Sequence, residues 1–335
     1  MSLLLANRIS KPITALNEVV GKISKGELDT IVKKEKSSKE LSDLSSGISI
    51  MKDNIREKIN DIQIINSSYE RFVPKEFLTL LEKESITDVN IGDSTSLKMS
   101  VLFSDMRNFT SISENMSPQE NFDFLNKYLE TMSPAINKNN GFIDKYIGDA
   151  VMALFPTSAE DSVAAAVGMI DGLKVFNANR ESELRASINM GIGIHIGQLI
   201  LGTIGEDSRM ETTVISDTVN ASARLESLNK IYGTNILISG SVRDELNEKT
   251  KEFCRIVDRT QVKGKTEFLD VHEVFSHDNQ ATIKLKFQNK DILRFIVDSF
   301  FEGNIAVAKN EFLKLEKHCE VDPVIAFWKD RLEKA

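Results

Sequence analysis

The chain has 335 residues, too many for one small domain, and its 41% hydrophobic and 27% charged content is that of a folded protein. A net charge of −8 leaves nothing overall to offset phosphate repulsion, which excludes a general nucleic-acid binder, although local lysines can still hold a triphosphate. The two cysteines, Cys254 and Cys319, stand far apart in no metal-ligand spacing and predict reduced thiols.

No stretch approaches the roughly 20 apolar residues that cross a bilayer. The start, Leu3-Leu4-Leu5-Ala6 followed by Arg8 and Lys11, fits either a solvent-side helix start or the cytoplasmic stub of a membrane helix. From Ile9 the apolar positions Ile9, Ile13, Leu16, Val20 and Ile23 alternate by four and three, a heptad seam. Pro12 falls near the helix start, where its missing N–H costs little, and Gly26 breaks the helix before a polar connector. A second seam, Leu41, Leu44, Ile48, Met51 and Ile55, continues through Ile59, Ile62 and Tyr69. Two consecutive spacings of four around Ile55 shift its phase, which locally unwinds a coiled coil. Pro74 interrupts the coil, and the polar residues 85–98 predict a loop.

Strands and helices alternate from Lys98 to Phe275. Lys98 to Phe103 predicts a short strand, Gln119 to Asn137 an amphipathic helix, and Phe142 to Tyr146 with Val151 to Phe155 a hairpin around Gly148-Asp149. Ser158 to Asn177 follows as a helix, Ile188 to Thr203 as a long β-rich run and Val219 to Lys230 as a helix. Ile236 to Ser239 and Phe268 to Phe275 add strands. This order predicts an α+β fold, helices packed over a mostly antiparallel sheet. The tail carries helices over Asp291 to Glu302 and Ile305 to Lys317, then a last one capped by Asp322-Pro323 and containing Trp328. A lone hairpin of this kind cannot bury its own face, so it is expected to pack on something else.

Three segments carry chemistry. In Leu102-Phe103-Ser104-Asp105-Met106, a carboxylate ends an apolar strand; in Lys145-Tyr146-Ile147-Gly148-Asp149-Ala150, another occupies a hairpin tip. If the two strands are neighbours the carboxylates converge, and such oxygen ligands suit magnesium or manganese. Taken alone, Asp149 is a turn-forming residue. Asn220 and Arg224, four apart, project from one helix face, where a guanidinium beside a carboxamide suits a developing phosphate charge and a ribose oxygen. The same pair on an isolated helix would be an ordinary surface feature. His195 alternates within its β-rich run and is expected to be a packed or hydrogen-bonded strand histidine rather than a general base.

Phe103-Ser104-Asp105, Lys145 to Ala150, and Asp217-Thr218-Val219-Asn220 through Arg224 together resemble the class III (IIIb-type) adenylyl cyclase catalytic domain, over about Lys98 to Phe275. Ahead of it, residues 6–58 resemble a HAMP relay module, with Pro12 and Gly26-Glu27 where that family has them; a generic dimerising coiled coil is the plainer alternative. The resemblances imply the class III nucleotidyl cyclase fold, with a ferredoxin-like βαββαβ core. They divide the chain into a relay at 1–58, a coiled-coil linker at 59–97, a catalytic domain at 98–276 and a helical, tetratricopeptide-like tail at 277–335.

The cyclase resemblance further implies that Asp105 and Asp149 hold two divalent ions, Mg²⁺ or Mn²⁺, helped by the Met106 carbonyl. Lys145 and Thr213 would select the base, Asn220 and Arg224 would orient the ribose and stabilise the transition state, and Lys263, with Lys265 as the alternative, would hold the triphosphate. The implied reaction converts ATP to 3′,5′-cyclic AMP and pyrophosphate by in-line attack of the ribose 3′-hydroxyl. It implies a homodimer with composite sites, metal ligands from one subunit and the remaining groups from the other. It also implies an upstream sensor or membrane segment, and a cytoplasmic catalytic domain whose full-length form is anchored at the inner face of the plasma membrane. Adenine is favoured on physical grounds as well: Lys145 donates hydrogen bonds and cannot accept them, Thr213 can do either, and guanine calls for a carboxylate at its edge. The alternatives are a catalytically degenerate nucleotide-binding or dimerisation module, and a guanylate cyclase. Thr212 and Ser216 depart from the common pattern, and are expected to loosen the base pocket or the strand-to-helix turn.

Overall fold

The computed structural model describes residues 9–69, 72–114, 116–182, 186–206, 208–261, 268–316 and 322–335, in two compact units, 1–73 and 74–335. The first unit is a pair of helices, α1 (Lys11–Ile23) and α2 (Lys39–Tyr69). Leu16 and Ile23 of α1 meet Leu41 and Ile48 of α2, with Val19, Val20, Leu28 and Val32 packed around them. Beyond Ile48, the second seam's Met51, Ile55, Ile59, Ile62 and Tyr69 are exposed. The helix runs uninterrupted from Lys39 to Tyr69 through the phase shift. Among the described residues, no helix is long and apolar enough to cross a membrane; Leu3 to Ala6 lie outside them.

The second unit opens with α3 (Lys75–Leu80) and a 3₁₀ turn at Ile86–Asp88. There follow β1 (Ser94–Met106), α4 (Phe109–Ser113), α5 (Pro118–Lys138), β2 (Phe142–Ile147), β3 (Ala150–Phe155), α6 (Ala159–Ser182), β4 (Met190–Glu206) and β5 (Arg209–Ile215). The chain continues through α7 (Asp217–Tyr232), β6 (Ile236–Ser239), α8 (Gly240–Glu245), α9 (Glu248–Glu252), β7 (Cys254–Gln261) and β8 (Phe268–Val274). It ends in α10 (Gln280–Phe301), α11 (Ile305–Glu316) and α12 (Pro323–Lys334). The eight strands form one sheet in the order β2-β3-β1-β4-β6-β8-β7, with β5 paired to the far half of β4. All pairings are antiparallel except β4 with β6. β1 is longer than its apolar stretch predicts, because the polar residues from Ser94 onward pair with Leu199 to Gly202 of β4.

Each face of the sheet is buried against helices. On one face α5 and α6 cover Leu102, Val151, Ala153, Ile192 and Ile194 with Tyr128, Met132, Ile136, Val163 and Met169. On the other, α7 lies close against β4. A Cβ at Gly193 would stand 2.1 Å from the Glu226 nitrogen and 2.3 Å from the Ser222 oxygen, so only glycine permits this approach. The tail helices fill the rest of that face: Leu293, Ile296, Phe312, Val324, Ile325 and Trp328 share one core with Leu225, Tyr232, Ile256 and Val257. The hairpin's missing cover is thus the sheet and its helix, through β7 and the end of α7. Cys254 is a free, buried thiol, pushed by burial up to about 12; Cys319 lies outside the described residues.

Candidate active site

Asp105 sits at the end of β1, and β3 is the neighbour of β1 in the sheet, so the two-residue turn joining β2 to β3 lies beside it. Gly148 opens that turn with a φ of 65°, a conformation that favours glycine, and Asp149 follows. The expected convergence is realised. The Met106 backbone N–H donates to Asp149 Oδ2 at 3.2 Å, and Asp105 shares a side-chain hydrogen bond with Asp149. Burial first, then the Asp149 carboxylate, pushes the Asp105 carboxyl up to about 7. Two ionised carboxylates held this close in a half-buried site would repel each other, and a cation bound by both would offset that repulsion.

Three further groups complete this cluster, and none was singled out in the sequence. Glu226, on α7, raises Asp105 further and is itself raised by burial. The Arg107 backbone N–H donates to the Asn189 carbonyl at 2.8 Å and its guanidinium to the Thr234 carbonyl, which ties the carboxylate loop to the loops flanking β4 and β6. The Tyr128 hydroxyl, fully buried beneath, has no hydrogen-bond partner among the described residues and lies in the field of both aspartates. Glu226 follows Asn220 by six residues, so it sits on a different part of α7, and its relevance comes from how closely α7 lies on β4.

The donor set fits the expected ions in one respect that matters. Among the described residues no group of three or more His, Cys, Asp or Glu side chains forms a ready metal cage. Magnesium is commonly held by one or two carboxylates plus substrate phosphates and water, rather than by an all-protein cage. Asp105, Asp149 and backbone oxygens near Met106 match that pattern.

Lys145 forms a second cluster. Its Nζ is 3.6 Å from Asp144 Oδ2 and 3.8 Å from Glu211 Oε1. Glu211 and Thr213 stand two apart on β5, whose register pairs Thr213 with Gly202, so they share one face of that strand. The structure therefore brings Lys145 to the strand that carries Thr213. A third cluster is on α7, where Asn220 and Arg224 are both exposed and Arg224 Nη2 donates to Thr260 Oγ1 at 3.1 Å. His195 Nδ1 is hydrogen-bonded to Ser239 Oγ at 2.7 Å, as a strand histidine. Lys263 and Lys265 lie outside the described residues.

Ser216 corrects an expectation. Its side chain does not loosen the strand-to-helix turn but caps α7, accepting from the Thr218 N–H at 3.0 Å and donating to the Gln198 carbonyl at 2.5 Å. Its φ of −174° is extended backbone that any residue adopts, so glycine is not needed there.

Comparison with known proteins agrees with this arrangement. Residues 93–276 match the family described as the adenylate and guanylate cyclase catalytic domain, and residues 4–57 match the HAMP domain. The chain is 38% identical over 276 residues to an adenylate cyclase of Anabaena cylindrica, covering 81% of this chain and 55% of that protein. It is 37% identical over 234 residues to the terminal-differentiation-specific adenylate cyclase of Dictyostelium discoideum, covering 68% of this chain and 11% of that protein. The chain thus spans about half or less of these relatives. In fold it resembles a bacterial light-regulated adenylyl cyclase, with a TM-score of 0.58 and 21% identity over 75% of this chain and 70% of that one. With a family match over more than half its length and the paired carboxylates of β1 and the β2–β3 turn in place, the chain belongs to the adenylate and guanylate cyclase catalytic domain family, preceded by a HAMP domain.

Proposed function

We propose that this chain is an adenylate cyclase, converting ATP to 3′,5′-cyclic AMP and pyrophosphate. The observation that carries the reading is the convergence of Asp105 and Asp149, backed by the retention of Lys145, Asn220 and Arg224 in the same chain. Asp105 and Asp149, with the Met106 carbonyl, would hold two Mg²⁺ or Mn²⁺ ions, whose chemistry is to lower the pKa of the 3′-hydroxyl and neutralise phosphate charge.

The chain's own groups supply positioning and electrostatics. Arg224 offers a planar fork of donors to the charge that develops on the α-phosphate, and Asn220, one turn earlier, orients the ribose. Lys145 donates to the purine ring nitrogen, and Thr213 adapts to the exocyclic amino group. Lys263 would meet the triphosphate.

Homodimerisation is part of the proposal. The β4–β5 arm exposes Ile200, Ile204 and Ile215 on one face, with Ile200 and Ile215 paired in register, and Met210 on the other. Met51, Ile55, Ile59, Ile62 and Tyr69 of the second seam of α2 are likewise exposed. A dimer would cover both and let one subunit's carboxylates meet the other's Lys145, Thr213, Asn220 and Arg224. The HAMP segment would relay input from an upstream sensor or membrane segment. The chain divides functionally into a relay at 1–58, a linker at 59–97, a catalytic domain at 98–276 and a helical tail at 277–335.

Purified protein should form cyclic AMP from ATP, and far less cyclic GMP from GTP, in Mn²⁺ or Mg²⁺. Asp149→Ala should abolish that product while remaining a folded dimer. Cyclic AMP formation that survives Asp149→Ala, or a folded dimer silent with both nucleotides and both metals, would sink the proposal.

A further inference from the structure

Base preference rests on where the Lys145 ammonium is held, and the structure shows an anchor for it. In a regular strand Asp144 and Lys145 would point to opposite faces of the sheet. The register of β2 against β3 shifts between Ile143 and Lys145, leaving Asp144 as the unpaired residue of a bulge. Its side chain is only 2% exposed, and its Oδ2 stands 3.6 Å from Lys145 Nζ with no hydrogen-bond partner among the described residues. Glu211, the other carboxylate near Lys145, is 64% exposed at 3.8 Å.

The two partners are unequal. An exposed carboxylate is screened by water and holds a lysine weakly, whereas a buried one must keep its cation close because nothing else offsets its desolvation. We propose that Asp144 is a positioning residue for base recognition: its buried carboxylate anchors the Lys145 ammonium so that its protons face the purine edge, and the exposed Glu211 gives way when the base enters. The proposal rests on the nucleotide-cyclase reading of the site. It assigns the discriminating power of this pocket to the Asp144–Lys145 pair, since Thr213 can donate or accept and so rejects neither purine firmly.

Asp144→Asn keeps the shape and removes the charge. On the full chain, binding of non-cyclisable α,β-methylene analogues of ATP and GTP is measured alongside kcat and KM for both nucleotides. The expected result is a fall of about tenfold in the ATP-over-GTP ratio, carried by a higher Kd and KM for ATP, with kcat at saturating ATP within about twofold. Glu211→Gln should change the ratio by less than about threefold. Equal losses for both nucleotides in Asp144→Asn, leaving the ratio unchanged, would show a structural role and overturn the proposal.

If Asp144→Asn alone does not fold, the decisive comparison is Lys145→Met against Lys145→Met/Asp144→Asn, in which no buried charge is left unpaired. Identical nucleotide ratios in those two variants are expected of a residue acting through Lys145; a further drop in the double variant would overturn the proposal. A wild-type chain that binds neither analogue would overturn the reading of the site itself, whereas a discriminating wild type with unchanged variants overturns only the role of Asp144.

Discussion

Replacing Asp322 should release the tail from the catalytic domain. Asp322 lies at the start of α12 and is 3% exposed, facing Arg255 of β7, which is 1% exposed. The pairing is bidentate, with Nη1 to Oδ2 at 2.5 Å and Nη2 to Oδ1 at 2.9 Å, while Arg255 Nε donates to Glu273 at 2.6 Å. Lys286 of α10 closes the network, reaching Glu273 and Asp278 at 2.6 Å each. Burial alone would raise the Asp322 carboxyl, but Arg255 outweighs it and holds the group below the usual carboxylate range. Removing one partner of a buried, hydrogen-bonded pair costs about 3–5 kcal/mol, because the other is left with unmet donors. Asp322 Oδ1 also accepts from the Val324 N–H at 3.1 Å, a helix cap worth about 1 kcal/mol.

Asp322→Ala should therefore cost about 4–6 kcal/mol, much of a domain's total stability of about 5–15 kcal/mol. The chain carries its own reporter for this. Trp328 is the single tryptophan, fully buried, and its indole N–H donates to the Val257 carbonyl at 2.8 Å. In Asp322→Ala its emission should shift to the red, and the amides of α12 should exchange faster, at urea concentrations that leave wild type intact. An Arg255→Met/Asp322→Leu variant, which replaces the pair with apolar groups, should recover most of the loss. A cost below about 1.5 kcal/mol in Asp322→Ala, with unshifted emission, would refute the view that this network docks the tail rather than the apolar core beside it.

Two further predictions concern pH, with opposite signs. Burial pushes His272 down to about 3, so the unfolded chain binds a proton that the folded one refuses between its ordinary value and about 3. Its contribution is complete above about 6.5 and is lost as pH falls, by about 1.4 kcal/mol per pH unit, and urea unfolding of His272→Asn should show a flatter acid limb. Parallel curves would count against it. Asp105 is raised to about 7, so the folded chain holds an extra proton between about 4 and 7 and loses stability as pH rises through that range. Mn²⁺ should consequently raise the melting temperature more at about pH 8 than at about pH 5.5, and Asp105→Asn should abolish the difference. For catalysis, Thr260→Val removes the 3.1 Å contact that steadies Arg224. It should lower kcat by about three- to tenfold with KM unchanged; a change confined to KM would disprove this role for Thr260.

The parts legible in the sequence were those whose cause is local. Asp105 and Asp149 were found because each ends or turns a strand within a few residues of an apolar run, and the hairpin around Gly148 follows from turn chemistry. The last helix was equally local, with Asp322 capping it and Pro323 opening it. What escaped depends on distant partners. β7 looks too polar for a buried strand, yet Arg255 is neutralised by Asp322, 67 residues on, and Asp258 by Arg331, 73 residues on. The Asp258 carboxylate also accepts from the Tyr232 hydroxyl at 2.7 Å, which joins the end of α7 to the same tail.

The same distinction explains the site residues that were missed. β5 carries two charges in seven residues and alternates poorly; it is a strand because β4 extends past its pairing with β6 and offers Gly202 opposite Thr213. Only that pairing brings Glu211 to Lys145. Asp144 was passed over as an ordinary strand residue because a bulge cannot be seen in its own sequence: it is created by the mismatch between β2 and β3. Glu226 joins the carboxylates only because Gly193 lets α7 press against β4. The carboxylate end of the site, proposed to hold metal, is thus written in contiguous motifs, and the Lys145 end, proposed to bind the base, is assembled by register. If the proposed base pocket is right, sequence changes far from any motif, on β5 or at the β2 bulge, should alter which nucleotide is accepted.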